Sequence, residues 1–422
     1  MKWFLMLVGL FAIVFMIRQV WRYDSTDQNL RQFFFPALIF KVLAGWAAGL
    51  VYQYYYNGNG DIFLFFNTSW DLVSTLINDP FSPKTAILSN QGLAQVLSSL
   101  NSRTIFFLGF LSIPVLFSGG VYWICSLYVS VISFLVTWYF VRTLVFNYYR
   151  PEILYASVGA FLFYPSVAFW SGGLFKESLS TIAIFLLLAS VISMAHAPGR
   201  QKIIYMVISL ISVIILAGVK YYLAALAVPV LVLYLLIFKY NQAKGKVIQL
   251  ASIMGVVLIF FIALSFFSPN LNLSILPEVV NREYLRKVIE AQSERYVYYP
   301  NLNASWAGLI VSAPKALFVG LFSPLTFNTN NPFLFIASVE NFVVLFVVFL
   351  AIWKMVKQGS LNLSREVLFL LLYVIIASIL LALTTPNIGT LSRYKIAYMP
   401  FFFFVSLMVL FAPKKIASTN EK

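Results

Sequence analysis

Cysteine and histidine, which carry most thiol, zinc and imidazole chemistry, are nearly missing from this chain: it has only Cys125 and His196. A lone cysteine rules out a disulfide within the chain. One residue of each kind makes a Cys/His zinc site untenable, and no Ser–His–Asp or Cys–His arrangement is credible. Acidic charge is scarce as well, with 14 Asp and Glu among 422 residues and only 10% of the chain charged. An enzyme built from this set must use carboxylates as bases and Lys, Arg, Tyr and Asn for binding. What fills the gap is apolar: 61% of residues are hydrophobic, 18% are aromatic, and mean hydropathy is +0.88. That composition predicts an all-α polytopic bundle of transmembrane helices rather than a soluble domain. The net charge of +15 is strung along short loops. Such a distribution excludes a nucleic-acid-binding face and fits contact with membrane lipids.

Apolar runs at 3–17, 33–52, 121–141, 152–170, 177–195, 203–219, 221–238, 247–267, 333–352, 366–384 and 394–412 predict about 11 spans. Two more, 104–118 with Pro114 and 306–322 with Pro314-Lys315, are short or interrupted and read as re-entrant or interfacial helices; full crossings would raise the total to 13. The first run has the length of a signal-peptide core, yet no small-residue cleavage site follows it and Arg18 and Arg22 do. It is read as a retained helix.

Connections 18–32, 142–151, 196–202, 239–246, 353–365 and 413–422 carry 16 Lys and Arg. The opposite set, 53–103, 171–176, 220, 268–332 and 385–395, carries 11 over a much greater length. The denser set marks the cytoplasm, with the N-terminus outside and Lys414-Lys415 inside a cytoplasmic membrane. The long segments 53–103 and 268–332 then face outward, together with nine of the 14 acidic residues. With no internal repeat or soluble domain boundary, 1–422 is expected to be a single integral membrane domain.

On that outer side, Asn57-Gly58-Asn59-Gly60 places the Asp61 carboxylate on a glycine turn at the membrane edge, either as a reactive group or as a helix cap. Lys176 and Glu177 are the only charges between Ile153 and Ser193, and adjacent helix residues do not face each other. They either enter a cavity beside Gly172-Gly173 or sit at the membrane edge, with Lys176 snorkelling and Glu177 at a helix start. Residues 281–290 read as an amphipathic helix, with Glu283/Lys287 and Arg286/Glu290 pairs and an apolar face of Tyr284/Val288 and Leu285/Ile289. Tyr296, Tyr298 and Tyr299, with Asn301 and Asn303, resemble a surface on which a sugar stacks, though interfacial tyrosines need no such role. Arg393 and Lys395, at the mouth of the last span, suit a phosphate or interfacial anchoring. Lys41, inside the second span, is expected to snorkel.

Taken in order, Tyr54-Tyr55-Tyr56, Gly60-Asp61, Pro165-Ser166 through Trp170, Lys176-Glu177-Ser178 and Ser392-Arg393-Tyr394 resemble bacterial polytopic glycosyltransferases of the GT-C class. That resemblance implies an inverting transferase drawing sugars from polyprenyl-phosphate carriers on the outer side, with an Asp of the first large outer loop as general base. Asp61 matches that Asp by position, while Ile62 stands where a second acidic residue is usual.

The expected function is therefore glycosyl transfer from a lipid-phosphate donor to a glycan, lipid or protein acceptor. Asp61 is the base and Glu177 the alternative; Lys176, Arg393, Lys395 and Tyr298 are the binding residues. No cofactor is required: the leaving phosphate is already a stabilised anion, so a divalent metal is optional. A polysaccharide polymerase would use the same parts. A lipid or solute transporter is the rival outside enzymes, but transporters place charges near the midplane of matched halves, and no halves match here.

Overall fold

The computed structural model describes residues 2–23, 28–240, 272–290, 296–327, 329, 331–358 and 365–413. Among them every regular element is helical, and the only sheet-like contact is an isolated bridge between Tyr296 and Asn387. Seven helices are long and apolar enough to cross a membrane, or up to nine if two bent pairs, Pro151–Leu162 with Pro165–Gly172 and Ile388–Ala397 with Met399–Phe411, each count once. The protein is thus an all-α, multi-pass membrane protein, as its composition predicts. Two features separate these spans from the expected eleven. The 247–267 run lies outside the described residues, as do Lys414-Lys415. The 203–219 and 221–238 runs join in one helical element, Gln201–Tyr240, broken only where Lys220 leaves helical geometry (φ −143°, ψ 77°). Segments 104–118 and 306–322 form the helices Ser102–Phe117 and Trp306–Phe322, of 16 and 17 residues, each with its proline inside.

The chain divides into two compact units, the first comprising Met1–Thr143, Leu162–Met194 and Pro198–Tyr222, and the second Leu144–Phe161, Ala195–Ala197 and Leu223–Lys422. Lipid tails are as apolar as leucine, so helices in a bilayer associate through close packing at small residues and through internal hydrogen bonds. The first unit follows this rule where Pro165–Gly172 lies on Phe34–Leu50. A Cβ on Gly45 would sit 2.6 Å from the Gly172 carbonyl oxygen. The Ser130 hydroxyl donates to that same oxygen at 2.7 Å. Lys41 does not snorkel. It is buried in this contact and donates to the Ser171 hydroxyl and the Val167 carbonyl. Elsewhere in the unit, Asp61–Asn78 packs on Ser102–Phe117 through Phe65 and Phe107, edge to face at 5.2 Å. Such a pair contributes about 0.5–1.5 kcal/mol beyond its area.

In the second unit Trp306–Phe322 packs on Arg365–Thr384, where a Cβ on Gly320 would meet the Ser378 carbonyl at 2.6 Å. Met399–Phe411 packs on Pro151–Ser157 and on Pro332–Gln358. Leu276–Glu290 is the expected amphipathic helix, but only the Tyr284/Val288 half of its expected apolar face turns inward. Val280 and Tyr284 are buried while Leu285 and Ile289 are exposed. Arg286 pairs with Glu283 at 2.7 Å and with Glu290 at 3.7 Å. Lys287 instead donates to Thr385 at 3.1 Å and lies over the Tyr394 ring.

Candidate functional site

The polar end of the first unit is built from three adjacent-residue pairs on three helical elements. Asn101 caps Ser102–Phe117 by accepting from the Thr104 N–H at 2.9 Å, which fixes Arg103-Thr104 in its first turn. Lys176-Glu177 opens Lys176–His196, immediately after the Gly172-Gly173 bend. Lys220-Tyr221 lies at the break in Gln201–Tyr240.

These pairs interlock. Lys176 Nζ donates to Thr104 Oγ1 at 2.6 Å and stands 5.3 Å from the Phe65 ring centre. Neighbouring positions on a helix diverge by about 100°, so Glu177 points elsewhere, and its Oε1 accepts from Lys220 Nζ at 2.7 Å. Both side chains of that pair are buried, at 2% and 8% exposure. Arg103, beside Thr104, holds its guanidinium 5.0 Å over the Tyr221 ring, beside Lys220. Three connections assigned to one side of the membrane by charge counting, 53–103, 171–176 and 220, therefore converge on one cluster.

Asp61 lies one helical turn before Phe65, the ring under Lys176. It is exposed, and it is not the cap of its helix: Gly60 is the N-cap residue and Asp61 follows in the first turn, where the helix dipole favours a carboxylate. The preceding turn explains the glycines. Asn57 and Gly58 have positive φ, Gly60 has φ 136°, and a Cβ on Gly60 would strike the Tyr52 ring at 2.6 Å. Phe34–Leu50 widens into a π turn at Val51–Tyr55 just upstream, a distortion found frequently at functional sites.

Of the six residues expected from sequence, Asp61, Lys176 and Glu177 belong to the first unit, and Arg393, Lys395 and Tyr298 to the second. Glu177 is locked in a buried ion pair. As a base it would have to release Lys220, which argues against that role. Lys395 is a correction. It is buried, and its ammonium donates to the carbonyls of Leu321 and Ser323, each at 2.9 Å, and to Asn341 Oδ1 at 2.8 Å. An ammonium has three donors, so this lysine clamps its own unit and has none left for a phosphate.

Arg393 is half-buried in the short helix Ile388–Tyr394, which Asn387 caps through the Thr390 N–H at 3.0 Å. Tyr298 exposes its ring, with Lys315 donating to its carbonyl at 2.7 Å. The rest of the expected sugar-stacking surface has structural duties. Tyr299 is buried with its hydroxyl toward the Ala382 carbonyl. Asn303 accepts from the Ser305 N–H and hydroxyl ahead of Trp306–Phe322. Burial pushes the Tyr284 and Tyr299 phenols up, so both remain neutral donors.

Sequence reasoning missed Arg103, Thr104, Lys220 and Tyr221 as parts of the cluster. A signal for Lys220 existed: it is the only charge between Ile203 and Phe238, as Lys176 and Glu177 are between Ile153 and Ser193. Lone opposite charges in apolar runs seek each other. Among the described residues no group of three or more His, Cys, Asp or Glu side chains is placed to hold a metal ion. Comparison with family models, with curated proteins and with solved structures finds no match to this chain.

Proposed function

We propose that this protein is a membrane glycosyltransferase that moves a sugar from a lipid-phosphate donor to an acceptor hydroxyl. The observation that carries the reading is an exposed carboxylate, Asp61, on a strained glycine turn one helical turn from the ring that Lys176 covers. A base and a cation at one end of an apolar bundle are what such a transfer needs. Asp61 accepts the proton of the acceptor O–H, and that oxygen forms a bond to the anomeric carbon. The bond from that carbon to the phosphate oxygen breaks, with its electron pair leaving on the phosphate, where a cation stabilises it. Attack opposite the leaving group inverts the anomeric centre. Glu177 does not act as base because Lys220 holds it as a buried, paired carboxylate.

The charge asymmetry of the loops supports placing this end outside the cytoplasmic membrane, with polyprenyl-phosphate sugars as donors. In a Cys125→Ser background, cysteine introduced at Lys84 should label in intact cells. Labelling only after permeabilisation would reverse the orientation. The function is tested by extracting lipid-linked material from a strain lacking the protein. Accumulated single-sugar carriers are expected. Accumulated oligosaccharide units would assign a polymerase instead, and unchanged carriers would remove both readings.

A further inference from the structure

We propose that residues 79–88 form an anchor that overhangs the rim of the first unit at its polar end and inserts Phe81 and Leu88 into the lipid beside it. Such an anchor is independent of the reaction catalysed and follows from the layout of the helices at that end.

Lys2–Tyr23 and Phe34–Leu50 meet where Trp21 packs on Phe34, with ring centres 5.3 Å apart, so Lys2 and Leu50 lie together at the other end. Tyr122–Tyr148 starts beside Leu50: the Trp46 indole donates to the Trp123 carbonyl at 3.1 Å, and a Cβ on Gly49 would strike the Tyr122 ring. Lys176–His196 starts there too, with the Phe175 ring 5.6 Å from that of Tyr52. Asp61–Asn78 runs across these ends rather than alongside the helices. Phe65 lies under Lys176, Phe63 and Phe66 pack on Tyr122, and Trp70 takes the Lys2 ammonium over its ring at 4.9 Å. Ser102–Phe117 keeps to the same end. It begins at Lys176 through Thr104, slants in until Phe117 meets Gly9 and Tyr128, and returns to Lys2 at Gly119. A crossing helix would carry Phe117 to the level of Trp21 instead.

Past Trp70, Asp61–Asn78 continues for eight more residues, about 12 Å at 1.5 Å each. Lys2–Tyr23, which it passes there, is the least buried of the spanning helices: only 11% of its apolar stretch is enclosed, and Trp3, Phe4 and Phe11 are exposed. The chain then turns at Asp79-Pro80-Phe81 and comes back through Pro83–Ser89 and Gln91–Ser99, with the Asn90 amide donating to Thr75 at 3.2 Å. The turn therefore projects over lipid rather than over protein. A turn facing water would be polar, yet Phe81 is 95% exposed, more than any other large apolar side chain among the described residues, and Leu88 is 71% exposed. Ala86 and Leu93, close by, are buried. Asp79 and Lys84 are the only charges of 79–88 and offset each other, so apolar insertion rather than attraction to anionic lipid holds the turn. The helix that carries Asp61 at one end is thus moored in lipid at the other.

The test uses the full chain in phosphatidylcholine nanodiscs, in a Cys125→Ser background, with one environment-sensitive fluorophore on Phe81→Cys, Leu88→Cys or Asp71→Cys. Asp71 is exposed on the same helix and is the water-facing reference. Labels on Phe81→Cys and Leu88→Cys should be quenched by a nitroxide near the top of the acyl chains and several-fold less by aqueous iodide than the label on Asp71→Cys. Doping with phosphatidylglycerol should change neither. Either position decides the matter if the other variant fails to fold. Equal iodide quenching at all three positions would overturn the anchor. So would protection that appears only with phosphatidylglycerol, which would mean adsorption through Lys84, and protection lost in discs holding a single copy, which would mean that a second copy covers the turn. Ser99→Cys and Val121→Cys, exposed positions flanking Ser102–Phe117, should label from the same side of the membrane, and labelling from opposite sides would overturn the layout.

Discussion

Each unit contains an ion-pair motif, and the two differ in everything except charge. In the first, Glu177 and Lys220 are buried, come from separate helical elements and lie 43 positions apart in sequence. In the second, Arg286 bridges Glu283 and Glu290 along the exposed face of one helix. The exposed motif is local, screened by solvent and worth little. In the buried pair each charge is tolerable only because of the other, so the pair fixes where the Lys176 helix begins and where Gln201–Tyr240 breaks. Adjacent to that fixed point, Lys176 and Arg103 face the polar end. Burial, more than charge, decides which ionic contacts organise a site.

The comparison is sharpened most by removing one buried partner. Lys220→Met removes the cation paired with the buried Glu177 carboxylate and should cost about 3–5 kcal/mol. Glu177→Gln combined with Lys220→Met should recover much of that loss, and thermal unfolding of the three variants in detergent reads the coupling. Additive losses would show that the two side chains do not depend on each other. A smaller effect is expected for Lys395→Met, which strands the acceptors on Leu321, Ser323 and Asn341. Unsatisfied buried acceptors of this kind cost about 1–3 kcal/mol, visible as a lower melting temperature. A wild-type melting curve would mean that Lys395 is not the clamp described here. The smallest effect belongs to Arg286→Ala, whose exposed pairs should contribute less than about 1 kcal/mol and weaken further with added salt. A loss as large as that of Lys220→Met would erase the distinction between the two regions.

The helical membrane architecture was legible in the sequence because apolar runs of bilayer length have no other stable form in lipid. Asp61, Lys176 and Glu177 were legible as charges where charge is costly, and Asn57 to Gly60 as a turn. What could not be read locally was which acceptors each cation would find. Lys395 looks as available as Lys176 until Asn341, 54 positions away, is folded against it. Half of the apolar face expected of Leu276–Glu290, Leu285 and Ile289, is exposed for a similar reason. Leu285 and Ile289 share a stripe by periodicity, but Tyr284 meets the Tyr299 N–H at 3.2 Å and Lys287 meets Thr385, and those contacts decide which side turns inward. The reading of Asp61 as a cap failed by one residue, since Gly60 takes the cap position.

The central claim is that Asp61 is the base and Glu177 is structural, and product formation by purified Asp61→Asn and Glu177→Gln tests it most directly. Asparagine preserves the size of Asp61 and one of its acceptor oxygens but cannot take a proton. At matched folded fractions, Asp61→Asn should lose about 10²–10⁴-fold in turnover with an unchanged melting temperature, while Glu177→Gln should melt lower and retain most of its turnover per folded molecule. A fully active Asp61→Asn enzyme, with turnover abolished instead in a well-folded Glu177→Gln, would contradict the account.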